Sequence, residues 1–200
     1  MQALALVVAI AAAPIAAKPL PVDLTPLLGL RGGADMEASV SGLPGASADP
    51  SASFGLALDV FVRPESWFEG FIDHQTLHFS SDPAAFGTSR FDLAIDYLQF
   101  GGGYGAEEGR IRPFVSAALG LTRYGANGGH VKSTIGASGS LGGGFKVPVG
   151  KRLAFSLELR GYATATEAAV SVTCGPGCFI QFGANGWYQF ALRAGLAVRL

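Results

Sequence analysis

The chain has 200 residues, enough for one domain, and its 14 basic and 15 acidic residues leave a formal net charge of −1 at pH 7. This balance excludes a nucleic-acid-binding protein, which needs a surplus of positive charge. Charged residues make up 14% of the chain and hydrophobic residues 49%, whereas a soluble domain has about 25% charged residues. Beyond the N-terminus, no apolar run reaches the roughly 18 residues of a membrane-spanning helix. The hydrophobic residues must therefore follow another pattern.

The N-terminus has the pattern of a secretory signal peptide, because residues 3–17 are apolar and end in small residues before Lys18. We predict cleavage near Ala17, which makes residues 1–17 the signal peptide and residues 18–200 the mature domain. Only Met1 and Gln2 precede the apolar stretch. The required positive charge therefore comes from the amino group alone, or the true start lies upstream. A short buried helix is the alternative interpretation.

From about Val22 onward, the chain divides into segments of about ten residues in which apolar side chains alternate with small or polar ones. Alternation with a period of two is the pattern of a β-strand, and apolar positions do not recur at the spacing of a helix. The clearest segments are 53–63, 91–97, 111–122, 134–147, 152–160 and 188–200. Segments 24–34 and 68–79 are weaker, and a β-bulge in the second would reverse its facing. We predict an all-β protein of about eight strands.

The links between these segments alternate in length. Short links are expected at 64–67, 104–109 and 148–151, and longer ones at 35–51, 80–90, 125–133 and 163–186. An antiparallel up-and-down barrel in an outer membrane has this asymmetry, with short periplasmic turns and long external loops. An even number of strands would leave both termini in the periplasm.

The two faces of the segments differ in polarity. One face carries Phe, Leu, Val and Ile, and the other holds most of the Gly, Ala and Ser together with the charges. Small residues fit the narrow interior of a barrel, so the apolar face is expected to point outward into lipid. We predict a transmembrane β-barrel of about eight strands; a soluble barrel with the faces reversed is the alternative.

Two segments resemble the small outer-membrane β-barrel families of the outer-membrane protein A and protein X types. Residues Gly142–Tyr162 form a Gly-rich strand, a tight turn at 148–151 and an amphipathic strand, and the final strand resembles the C-terminal signal read by the barrel-assembly machinery. The chain departs from the commonest form of that signal because it ends in Leu200 and not in an aromatic residue. The resemblance implies an outer-membrane location in contact with lipid, and we expect a monomer.

The face predicted to point inward carries charges that cannot stay individually solvated in so narrow a barrel. We expect them to pair as one interior charge network of Arg31, Asp59, Asp92, Asp96, Lys146, Glu158, Arg160 and Arg193. The network either closes the barrel as a plug or gates a narrow channel for small solutes. We favour the plug and a structural or surface-interaction role, in which the long links are candidates for binding an external ligand.

Cys174 and Cys178 enclose the turn-forming tripeptide Gly-Pro-Gly, and in an oxidising compartment this spacing favours a local disulfide. A metal site built on the same pair is the alternative. His74 and His78 would stand about 13 Å apart on one strand, too far to share an ion. The stretch 125–133 has a Lys among glycines but lacks the glycine that precedes the lysine of a phosphate loop. We expect no metal and no cofactor.

The resemblance also raises an enzymatic alternative, because barrels of this size include lipid A-modifying enzymes that use a His, a Ser and an acidic residue near the outer rim. His78 lies close in sequence to Ser80, Ser81 and Asp82, and His130 falls in another long link. No family motif surrounds either histidine. We therefore predict no catalytic residues and no enzymatic activity.

Overall fold

The computed structural model describes residues 20–33, 50–80, 90–127, 133–165, 171–175, 178–181 and 187–200. These residues form ten strands and no helix. The strands are β1 (Val22–Gly33), β2 (Ser51–Arg63), β3 (Ser66–Ser80), β4 (Arg90–Gly105), β5 (Arg112–Asn127), β6 (Thr134–Pro148), β7 (Leu153–Ala165), β8 (Ser171–Gly175), β9 (Cys178–Gln181) and β10 (Trp187–Arg199). In the described part of the chain, no helix has the length and hydrophobicity to cross a membrane. The predicted signal peptide, residues 1–17, lies outside the described residues.

Eight of the strands form one closed antiparallel barrel in the order β1-β10-β7-β6-β5-β4-β3-β2, and β8 and β9 form a separate two-stranded sheet. The barrel closes where β1 pairs with β10, from Asp23 opposite Arg199 to Gly33 opposite Gln189. Closure satisfies the backbone groups of both edge strands, which a lipid environment requires. The prediction of an all-β, roughly eight-stranded antiparallel barrel is confirmed.

The strands are strongly tilted, as their register shows. Paired residues can be followed once around the barrel: Asp23, Asp59, Glu69, Gly101, Ala118, Ser140, Tyr162, Gln189 and Gly33. The path starts at Asp23 and returns to β1 at Gly33, a shift of ten residues. Such a shift in an eight-stranded barrel requires a tilt of the usual 35–45°.

The two ends of the barrel differ in their connections. Three short links, 64–65, 106–111 and 149–152, lie at the end where β1 begins and β10 finishes, which we call the turn end. The links 34–50, 81–89, 128–133 and 166–186 connect strands at the opposite end, the loop end, and all of them except 128–133 are longer than every link at the turn end. The link 166–186 also contains β8 and β9. This arrangement agrees with the alternation predicted from the sequence.

The exterior of the barrel carries an apolar belt. Leu119 and Leu141 are 75% and 72% exposed, and the exterior positions of the other barrel strands are also largely apolar. The barrel strands have 12 to 16 residues, and crossing a bilayer takes about 9–11 residues of a tilted strand. Near the turn end, the belt includes the exterior aromatic residues Phe68, Tyr104, Phe145 and Phe155. A surface of this kind is stable in lipid and not in water.

The polarity of the barrel reverses towards the loop end of β3, β4 and β5. There the interior holds the buried side chains of Leu77, Leu93 and Ile95, and the exterior presents Asp96 and Arg123. These strands are 15 or 16 residues long, so they extend beyond the apolar belt into water. Outside lipid, an apolar core and a polar exterior are the stable arrangement.

This reversal corrects the predicted facing of β4. Asp92 and Asp96 were expected inside the barrel, but Leu93, Ile95 and Tyr97 point inward and are buried, and the two aspartates lie on the exterior face. The prediction failed because it applied the polarity of the membrane region to a segment above it.

The weak alternation of apolar and polar residues in 68–79 has the same cause, the reversal of polarity towards the loop end. A β-bulge was considered there, but β3 pairs with β4 without a register shift from Ser66 opposite Tyr104 to Ser80 opposite Arg90. The odd-numbered positions Glu69, Phe71 and Asp73 all face inward. The facing is therefore constant, and the surroundings change along the strand.

Close approach of β4 and β5 depends on Gly101. A Cβ atom built on Gly101 would lie 1.9 Å from the carbonyl oxygen of Ala117, so any side chain would force the strands apart. We expect Gly101→Ala to reduce the free energy of unfolding by about 1–3 kcal/mol, measured by urea titration in detergent. Gly125→Ala is the control, because its Cβ would meet nothing within 4 Å. Equal stability of the two variants would contradict this account of the packing.

Candidate functional site

Six charged side chains fill the middle of the barrel. This central cluster consists of Arg31, Glu69, Asp73, Glu158, Arg160 and Arg193. Three positive and three negative groups balance one another, and the three arginines are at most 2% exposed. A buried charge is tolerated best when it is paired and hydrogen-bonded. Arg160 and Arg193 meet both conditions, whereas Arg31 is ion-paired with Asp73 but its guanidinium nitrogens make no hydrogen bond.

Glu158 joins two of the arginines. Because β7 pairs with β10 with Glu158 opposite Arg193, the Nη2 atom of Arg193 contacts Oε2 of the glutamate. On the same strand, Arg160 donates from Nε to Glu158 Oε1 at 2.9 Å. The hydroxyl of Ser116 adds a third donor, at 3.0 Å from Oε1. Removal of Glu158 would therefore leave several donors without their acceptor.

Asp73 and Glu69 on β3 provide the remaining negative charge. Glu69 accepts from Arg160 Nη2 at 2.6 Å, and Asp73 Oδ2 lies 2.5 Å from Arg31 Nη2 and 3.6 Å from Arg193 Nη1. The hydroxyl of Tyr162 also donates to Asp73 at 3.2 Å. β3 thus supplies carboxylates to arginines from β1, β7 and β10, which crosslinks the barrel across its interior.

Aromatic rings cover the faces of the guanidinium groups. Arg31 lies over Tyr97 and Tyr162, at 4.9 and 4.5 Å from the ring centroids. Phe71 receives Arg160 at 4.5 Å and Arg193 at 5.1 Å. Because a guanidinium is weakly hydrated and stacks well on aromatic faces, these rings replace much of the water that the arginines lose.

A layer of amides lies on the loop side of the central cluster. Gln75 Nε2 donates to the carbonyl oxygen of Arg31 at 2.9 Å, and Gln189 Nε2 donates to Gln75 Oε1 at 3.2 Å. The hydroxyl of Tyr97 donates to Gln189 Oε1 at 2.8 Å. All three side chains are almost fully buried. This layer continues the filled interior towards the loop end.

A second, smaller group of charges lies at the turn end. Lys146 Nζ donates to Asp59 Oδ2 at 2.9 Å and lies over Trp67 at 4.5 Å. Arg199 contacts Asp23 across the β1–β10 closure, with Nη2 at 3.0 Å from Oδ2. Asp23, Trp67, Lys146 and Arg199 line a cavity of about 490 Å³ that opens at the turn end. No residue of the central cluster lines this cavity.

The structure therefore places six of the eight residues of the predicted network inside the barrel: Arg31, Asp59, Lys146, Glu158, Arg160 and Arg193. Asp92 and Asp96 lie on the exterior, as described above. Glu69 and Asp73 belong to the central cluster but were missed, because β3 showed no consistent apolar face. The signal that could have found them is the alternation of Trp67, Glu69, Phe71 and Asp73 on one face.

Cys174 and Cys178 lie on β8 and β9, with Cys178 paired to Gly175, and their side chains lie outside the described residues. The disulfide stays a prediction. In protein isolated without reductant, we expect neither cysteine to be alkylated. After reduction, both cysteines should be alkylated, and mass spectrometry would measure the difference. Because the bond would close a short external segment, its reduction should leave the barrel folded. Free thiols before reduction would contradict the prediction.

Metal binding has no support in the described part of the chain, where no group of three or more His, Cys, Asp or Glu side chains could hold an ion. His74 lies on the exterior face of β3, with Nδ1 2.6 Å from Asp96 Oδ1. The side chain of His78, and the residues Ser81, Asp82 and His130, lie outside the described residues.

The chain matches no protein-family model and no curated protein sequence, so the comparison with solved structures alone places it. It is similar to the attachment invasion locus protein Ail of Yersinia pestis, solved with the heparin analogue sucrose octasulfate (TM-score 0.56, 8% identity, 92% of this chain and 100% of that one). It is also similar to Neisserial surface protein A (TM-score 0.56, 12% identity, 90% and 97%). A third match is the outer membrane protein OprG of Pseudomonas aeruginosa (TM-score 0.52, 11% identity, 92% and 97%). The chain therefore has the fold of the small eight-stranded outer-membrane β-barrels.

Proposed function

We propose that the protein is an outer-membrane barrel with a closed interior, whose role is structural or lies in interactions at the cell surface. The observation that carries this proposal is the central cluster. Its three guanidinium groups lie across the middle of the barrel with at most 2% exposure, and each contacts at least one carboxylate. A solute could pass only after several of these contacts had broken at once.

The proposal includes the way in which the protein reaches and occupies the membrane. The N-terminal segment would direct export, and the final strand, β10, would be recognised by the barrel-assembly machinery. The apolar belt would then contact outer-membrane lipid, with the long links outside the cell. The barrel is expected to act as a monomer without a cofactor.

The surface role rests on the links at the loop end, three of which (34–50, 81–89 and 166–186) are the longest segments between barrel strands. The links 34–50, 81–89, 128–133 and 166–186 contain five acidic residues, namely Asp35, Glu37, Asp49, Asp82 and Glu167, and one basic residue, Lys132. This composition favours a neutral or cationic partner and opposes a sulfated sugar. The sulfated ligand of Ail is therefore not expected to bind here.

Conductance of the full chain in a planar lipid bilayer tests the closed interior. Heat-modifiable migration on a gel would first establish that the inserted protein is folded, so that a lack of current is informative. We expect no stable single-channel steps. A reproducible open state in the unmodified protein would overturn the proposal and favour a narrow channel for small solutes.

A retention assay tests the expected charge of the partner. The folded protein in detergent should pass through immobilised heparin at physiological ionic strength. A variant in which residues 166–186 are replaced by a short turn should fold equally well, because the barrel strands pair without that segment. Retention of the unmodified protein, lost in the variant, would contradict the charge argument.

A further inference from the structure

Three polar side chains form a hydrogen-bonded series on the exterior face, beyond the apolar belt. His74 and Thr76 lie two residues apart on β3, and Asp96 lies opposite His74 on β4. His74 Nδ1 is 2.6 Å from Asp96 Oδ1, and Thr76 Oγ1 is 3.3 Å from His74 Nε2. None of the three belongs to the central cluster, which faces the other side of the same strands.

The chemistry of these groups fixes the direction of the hydrogen bonds in the neutral imidazole. An ionised carboxylate can only accept, so His74 Nδ1 carries the proton and donates it to Asp96. The other ring nitrogen, Nε2, is then an acceptor, and the hydroxyl of Thr76 donates to it. This is the order of hydroxyl nucleophile, general base and orienting carboxylate that activates an alcohol for attack on a carbonyl.

Arg123 on β5 completes the cluster. Its Nη1 atom lies 3.7 Å from Asp96 Oδ2, and its side chain is 61% exposed. The guanidinium thus gives Asp96 a second polar neighbour beside His74. A guanidinium at this position can also bind a phosphate group or stabilise the oxyanion that forms when a carbonyl is attacked.

The surroundings indicate the class of substrate. On the membrane side of these polar groups, the same exterior face presents Ile72, Leu98 and Leu121, which are paired across β3, β4 and β5 and 45–54% exposed. Phe54, opposite His74 on β2, is 59% exposed. The acyl chain of a lipid in the leaflet nearest the loop end would pack along this apolar surface. Its ester linkage would then lie at the level of Thr76.

We infer that Thr76, His74 and Asp96 form a hydrolytic triad on the outer surface of the barrel, which cleaves an acyl ester of a membrane lipid. Thr76 Oγ1 attacks the ester carbonyl carbon while His74 Nε2 takes the hydroxyl proton. The bond from the carbonyl carbon to the leaving oxygen then breaks, and His74 returns the proton to that oxygen, which releases the alcohol. Water, deprotonated by His74, then attacks the acyl-threonine carbonyl, the bond from that carbon to Thr76 Oγ1 breaks, and His74 returns the proton to Oγ1 as the fatty acid leaves.

This inference goes beyond the proposed function and does not depend on it, because the triad faces outward and the central cluster inward. It also differs from the enzymatic alternative in the sequence, which grouped His78 with Ser80, Ser81 and Asp82. The present three residues are brought together by strand pairing and not by proximity in sequence, because Asp96 lies opposite His74 in the β3–β4 pair.

The test uses the full chain in detergent micelles with p-nitrophenyl palmitate and a fluorophosphonate probe that labels activated hydroxyls. We expect hydrolysis and labelling of Thr76, located by mass spectrometry of the digested protein. Thr76→Val keeps the shape of the side chain without its hydroxyl and should abolish both signals. Thr76→Ser keeps a hydroxyl and should retain both. His74→Gln and Asp96→Asn should each lower the rate at least a hundredfold.

The control is Ser133→Ala, which removes an exposed hydroxyl near the loop end and should leave the rate unchanged. All variants are compared only after heat-modifiable migration shows that they are folded. Vesicles of phosphatidylethanolamine and vesicles containing lipopolysaccharide then identify the lipid, because fatty acid should be released from one of them. If the folded protein neither hydrolyses ester nor labels Thr76, or if Thr76→Val is as active as the unmodified protein, the inference is wrong.

Discussion

Replacement of Glu158 by alanine is expected to reduce the free energy of unfolding by about 3–5 kcal/mol, the usual cost of removing one partner from a buried ion pair. The change removes the acceptor of Arg193 and one of the two carboxylates that contact Arg160. Arg160 keeps the carboxylate of Glu69 at 2.6 Å, whereas the one carboxylate left to Arg193 is Asp73, at the longer distance of 3.6 Å. The loss therefore falls chiefly on Arg193, and urea titration in detergent micelles would measure it.

A double-mutant cycle separates this pairing from simple loss of packing. Arg193→Ala combined with Glu158→Ala removes both partners, so the double variant should be more stable than the sum of the two single losses predicts, by about 0.5–3 kcal/mol. Glu158→Gln serves as a matched variant because it keeps the size of the side chain and removes its charge. Additive losses would show that the two residues do not stabilise each other and that the central cluster is inert filling.

Leu141→Arg is expected to destabilise the barrel by about 2–4 kcal/mol, because it places a charge in the middle of the apolar belt. Leu141 is 72% exposed on the exterior and lies between Ala117 of β5 and Gly161 of β7. No neighbouring carboxylate is available on these paired positions to neutralise the new charge. Unfolding in lipid vesicles by urea would measure the effect.

The control for this variant is Val149→Arg, in the turn between β6 and β7. Val149 is 61% exposed, similar to Leu141, but it lies at the turn end outside the strands. We expect a change of a few tenths of a kcal/mol there. Similar losses at the two positions would show that the exterior of the barrel does not contact lipid.

The facing of most strands could be predicted from the sequence because a membrane barrel repeats one rule along each of them. In β5, β6, β7 and β10 the apolar residues point outward, as expected, and Glu158, Arg160 and Arg193 point inward. The sequence did not decide which acid of the network pairs with Arg193, and the structure places Glu158 opposite it on β7 and β10.

The facing of β4, the charged residues of β3 and the exterior polar series could not be predicted from the alternation within a single strand. β4 has the same alternation whether Asp96 faces in or out, and the membrane boundary decides between them. Asp73 and Glu69 were missed for the same reason, since the interior of β3 changes from charged to apolar at Leu77. The series of Thr76, His74 and Asp96 requires the register of two strands, which no local pattern contains.

The reversal of polarity along β3, β4 and β5 fixes the depth at which the barrel sits. If the barrel sank further into the bilayer, Asp96 and Arg123 would lose their water, and if it rose, Ile72 and Leu98 would lose their lipid. Both displacements cost free energy, so the barrel has one preferred height. A membrane that thickens or thins around it must adapt to the protein, and the exterior histidine then stays at the boundary between acyl chains and water.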